Sequence, residues 1–164
     1  MTKYELAKSI SNFVLGSTEI SNVLTQYNIQ NFKVNTMIDM VTFFDKENGI
    51  NILCLDDSST IHNQTYVLVV GIYILRPTTD DGFDIDVAPT GVDNTFIGTF
   101  DKISAIIRHE IEAYIKSGII IGNSMEKNFQ VDIPRASRPL PKANKDIGEL
   151  ITFSLNRKKC VTTQ

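Results

Sequence analysis

The sequence predicts an α+β fold: a mainly antiparallel sheet with a long hairpin, packed by one or two N-terminal helices and one long helix. Three observations carry this. Apolar residues recur at helical spacing in two places only, near the start and around residues 99–117. The remaining apolar segments either alternate with a period of two, as half-buried strands do, or form a short β-branched run, as Tyr66–Leu75 does. Those strand-like segments come in runs rather than in strict alternation with helices, which favours antiparallel pairing with helices over one face.

Thr2-x-x-Glu5 is a capping box at the very start. Leu6, Ile10, Phe13 and Val14 follow as one helical stripe, and Ile20, Val23, Leu24 and Tyr27 repeat it after Gly16 and Ser17. Helices are expected over about 3–15 and 18–27, or one helix kinked at Gly16. From Phe32 to Phe44 the period becomes two. Lys46-Glu47-Asn48-Gly49 then reads as a turn, because Asn-Gly is the strongest short hairpin signal. The return strand is Ile50 to Leu55, so Phe32–Leu55 reads as the long hairpin.

Tyr66 to Leu75 is the most apolar segment and rich in β-branched residues, which predicts a central strand with Gly71 at a bulge or close contact. Residues 78–95 form a long polar excursion before the second helix. That helix is expected from Thr99 or Asp101, on the stripe Ile103, Ile106, Ile107, Ile111, Tyr114 and Ile115, with Gly118 as its stop. Ile119-Ile120-Ile121 is expected to pack on the sheet, and Asn123 to Asn128 to turn. Phe129 to Ile133 is a strand, Pro134 to Lys145 a loop, and Leu150 to Leu155 the last strand. One domain over 1–158, with an acidic loop at 78–95 and a polar tail at 159–164, accounts for the chain.

The chain has 164 residues, enough to bury a core without disulfides or metal. No run is long and apolar enough to span a bilayer, and the start of the chain has no apolar signal core. Cys54 sits in an apolar run and reads as a small buried hydrophobe, while Cys160 lies in the tail. Their spacing fits no zinc or redox motif, and both suit a reducing environment.

Net charge is -3, but it is unevenly spread. Residues 1–126 hold 8 basic and 16 acidic residues, a balance of -8. Residues 127–164 hold 8 basic and 3 acidic, a balance of +5. Asp80, Asp81, Asp84, Asp86 and Asp93 concentrate the negative charge, and Arg135, Arg138, Lys142 and Lys145 the positive. These are either separate solvated loops or two complementary surfaces that associate head to tail.

No catalytic motif stands out. His109-Glu110 resembles the start of a zinc-protease helix, but Ala113 stands where the second ligand is needed. His62, beside Asn63 and Gln64, reads as a turn residue. Gly122-Asn123-Ser124 lacks the second glycine of a nucleophile elbow, and no Gly-rich phosphate loop occurs. Asp84 and Asp86, with Asp80 and Asp81, are hard ligands without calcium-loop spacing. Neither a cofactor nor a bound metal is expected. Arg135 to Lys145 lacks interleaved aromatics, which argues against base stacking.

The order of elements resembles small phage proteins of the head–tail neck, above all tail terminator, tail completion or head–tail connector proteins. The resemblance rests on the helical Thr2–Tyr27 leading into Phe32–Leu55, on Tyr66–Leu75 followed by a long loop and the helix Thr99–Lys116, and on the ending Phe129–Ile133 and Gly148–Leu155. It implies a non-enzymatic virion structural protein, assembled in the host cytoplasm, that forms a ring, commonly a hexamer. Such a ring joins the tail tube to the head connector, and DNA passes through its lumen. It also implies that the acidic loop Asp80–Asp93 faces the basic loop Arg135–Lys145 of the next subunit. Two readings from other classes stand beside it: a metal-dependent enzyme acting on nucleotides or nucleic acid through the acidic loop, and a monomeric protein-binding adaptor.

Overall fold

A computed structural model describes residues 2–38, 48–56, 65–74, 96–127, 129–131, 135–137 and 147–157. The first helix, α1, spans Lys3–Gly16 and opens on the expected capping box. The Glu5 N–H donates to Thr2 Oγ1 at 3.1 Å, and the Thr2 N–H donates to Glu5 Oε2 at 2.6 Å. Ser17 separates this helix from α2, Thr18–Gln26. Its N–H donates to the Val14 carbonyl, ending α1, while its hydroxyl accepts from the Ile20 N–H and starts α2. The two apolar stripes therefore lie on two helices rather than on one kinked rod. Asn28 and Asn31, both with positive φ, take the chain from α2 into the sheet. Asparagine tolerates that conformation better than most residues.

The main sheet contains β1 (Lys33–Thr36), β2 (Gly49–Asp56), β3 (Thr65–Ile74), β6 (Phe129–Val131), β7 (Arg135–Ser137) and β8 (Ile147–Arg157). Its order is β1-β2-β3-β8-β6, with β7 also on β8. Pairing is antiparallel except at β1–β2, so the α+β class with a mainly antiparallel sheet holds.

The long hairpin is not where the Asn-Gly signal puts it. Strands β1 and β2 run parallel, with Lys33 opposite Gly49 and Thr36 opposite Ile52. The long antiparallel pairing of β2 is instead with the next strand, β3, from Gly49 opposite Tyr73 to Asp56 opposite Tyr66. Gly49 serves packing instead of a turn: a Cβ there would lie 2.7 Å from the Lys33 carbonyl oxygen. Parallel neighbours cannot be joined by a two-residue turn; residues 39–47, where the rest of the expected strand to Phe44 and its turn fall, lie outside the described residues.

Gly71 makes no bulge; it pairs with Asn51 on one side and Leu150 on the other in unbroken register. The stretch expected to be only loop after Pro134 contains β7, in which Ala136 pairs with Ile151. The register along β8 steps by one residue between β6 and β7.

The third helix, α3, spans Phe96–Ser117 and begins before Thr99. Phe100, 1% exposed, extends the stripe Ile103, Ile107, Ile111 and Ile115 by one turn. Gly118 stops the helix with φ at +126°, its N–H donating to the Tyr114 carbonyl at 3.1 Å. Two short strands, β4 (Ile119–Ile121) and β5 (Ser124–Glu126), then form a separate hairpin about Gly122-Asn123. Ile120 does not pack on the main sheet but is half exposed, while Ile119 is fully buried.

The core lies between the helices and one face of the sheet. It joins Leu6, Ile10 and Val14 of α1 to Ile20 and Val23 of α2, the α3 stripe, and the even positions of β2 and β3 with the odd positions of β8. Tyr66 and Phe129 meet edge to face in it, with ring centroids 6.2 Å apart. The opposite face carries a smaller cluster in which Leu53 and Val69 are buried beside Met37, Leu55, Val67 and Leu150. Among the described residues no helix is long and apolar enough to cross a membrane.

Candidate interaction surfaces

The acidic stretch of the sequence runs between the end of β3 and the start of α3, and the basic stretch begins on β7 and ends before β8. Strand register ties these ends together. Ile74, the last residue of β3, pairs with Ile147, the first of β8. Ser137 pairs with Leu150, only three residues further along β8. The two oppositely charged stretches are therefore anchored at the same end of the sheet.

Arg135 lies on β7, opposite Thr152. Asp80, Asp81, Asp84, Asp86, Asp93, Arg138, Lys142 and Lys145 lie outside the described residues, as do His62 and Cys160. Cys54 is buried, as its apolar run predicts. His109 is exposed on α3. Among the described residues no three His, Cys, Asp or Glu side chains cluster closely enough to hold a metal ion.

The same end of the sheet holds a buried carboxyl. Glu149 is 8% exposed on the helix-facing side of β8, opposite Ile72, and its Oε2 accepts the hydroxyl proton of Ser104 from α3. A carboxyl among apolar residues costs free energy unless it is hydrogen-bonded. The serine on α3, itself 3% exposed, supplies that bond. Parity along β8 carried the signal for this residue: Glu149 is in phase with Ile151, Phe153 and Leu155, all fully buried.

A second polar arrangement pins the β4–β5 hairpin. The Ser9 hydroxyl donates to the Ile120 carbonyl at 2.5 Å. That uses its one proton, so the Tyr114 hydroxyl, 2.8 Å away, donates to Ser9 Oγ. Tyr114 Oη in turn accepts the Ile120 N–H at 3.0 Å, closing the circuit. The ring of Tyr114 stacks on Phe13 of α1, with centroids 4.2 Å apart and planes 4° from parallel.

Among the described residues the exposed large apolar side chains are Tyr4 and Leu15 on α1, Ile38 after β1, and Ile120 and Met125 on the β4–β5 hairpin. A groove of about 370 Å³ runs between α1 and β1, lined by Tyr4, Lys8, Ser11, Leu15 and residues 34–37. Sequence periodicity could not show it, because it depends on β1 being an edge strand that runs parallel to β2.

Comparison with protein-family models, with curated proteins and with solved structures finds no match to any of them, so a functional reading rests on the chain's own residues.

Proposed function

We propose that this chain is a non-enzymatic virion structural protein that forms a ring at the head–tail junction, as a tail terminator or connector joining the tail tube to the head. One observation carries the reading. The chain divides its charge into an acidic stretch, Asp80–Asp93, and a basic one, Arg135–Lys145, and the strands that flank them share one end of the sheet. Charge of opposite sign on separate segments of one molecule suits head-to-tail contact between copies, and such contact closes into a ring when the rotation allows. The order of helices, sheet and long helix supports the reading.

The test is size-exclusion chromatography with light scattering on the purified chain, alone and with tail-tube protein. A ring-sized species is the expected result, and a strict monomer under both conditions overturns the proposal. Reversing Arg135 and Arg138 to glutamate should block assembly, and reversing Asp84 and Asp86 to lysine as well should partly restore it. Because the flanking strands share one end of the sheet, the two segments could also pair within a chain. That arrangement would show as a change in monomer stability with no change in assembly, and it too would overturn the intersubunit contact.

A further inference from the structure

We draw no further inference here: the strongest candidate, the apolar recess between α1, α2 and β1 lined by Leu15, Leu24, Ile29, Phe32 and Val34, carries nothing because nothing in the structure shows what covers it.

Discussion

Ile74 and Ile147 are register partners, so β3 ends where β8 begins. This pairing matters more than its two side chains. It brings the chain out of the sheet toward the acidic stretch at the same point where it returns from the basic one. Sequence distance between the two stretches is therefore a poor guide to their separation. Their mutual attraction falls with salt over about 8 Å at physiological ionic strength, so whatever it organises should weaken as salt is added.

Ser104→Ala should destabilise the fold by about 1–3 kcal/mol, because it leaves the buried Glu149 carboxyl without its hydroxyl donor. Urea unfolding followed by circular dichroism reads this directly. Glu149→Leu in the Ser104→Ala background should recover much of the loss, since an apolar side chain there joins the Ile72 and Ile151 side of the core. If Ser104→Ala were silent, the hydrogen bond would have no part in stability.

Two glycines should respond oppositely to alanine. At Gly49 the new Cβ would lie 2.7 Å from the Lys33 carbonyl oxygen, so β1 and β2 must move apart. A loss of about 1–3 kcal/mol is expected from such overpacking. At Gly16, within α1, the new Cβ meets nothing within 4 Å. There the gain in helix propensity should stabilise by about 0.5–1 kcal/mol. Midpoints of chemical unfolding for both variants check the pair, and a neutral Gly49→Ala would contradict the close approach of the two strands.

The same glycine shows where the sequence could be read and where it misled. The stripes of α1, α2 and α3 were legible because burial on one side forces the 3.6-residue period, and β8 because it forces a period of two, while β3 was legible from its run of apolar and β-branched residues. Asn48-Gly49 misled because the demand for glycine has two physical sources, a tight turn and a close backbone approach, and sequence does not separate them. Strand β7 was hidden because its partner is non-local and its own residues, Arg135-Ala136-Ser137, carry no apolar alternation. Of the expected interface residues only Arg135 falls on a described strand, so the charged surfaces were legible as composition and not as geometry. The groove beside β1 was illegible for the same reason as the parallel pairing that creates it.

Tyr114→Phe should cost about 1–2 kcal/mol while leaving the stack on Phe13 intact. The lost hydroxyl both donates to Ser9 and accepts from the Ile120 N–H. Its removal should also loosen the β4–β5 hairpin locally, so hydrogen exchange at the Ile120 amide should accelerate more than at Ile111 in the core of α3. Uniform acceleration across the chain would mean that the circuit supports global stability without pinning the hairpin.

The capping box predicts a pH dependence with a definite sign. The Thr2 N–H bonded to the Glu5 carboxylate, helped by the Thr2 side chain, holds the Glu5 pKa below its ordinary value of 4.5. A carboxyl whose pKa is lower in the folded state contributes stability above its unfolded pKa and loses it as pH falls through the folded value. Glu5→Gln should therefore narrow the stability difference between pH 6 and the acid side of that range, and leave a smaller effect once the wild-type carboxyl is protonated. Thr2→Ala removes the other half of the box and should cost about 0.5–2 kcal/mol near neutral pH. The two changes act on one reciprocal motif, so their combined effect should be less than their sum. Thermal unfolding of the single and double variants between pH 3 and 7 measures both the sign and the coupling. Full additivity across that range would show that the Thr2 and Glu5 bonds form independently of one another.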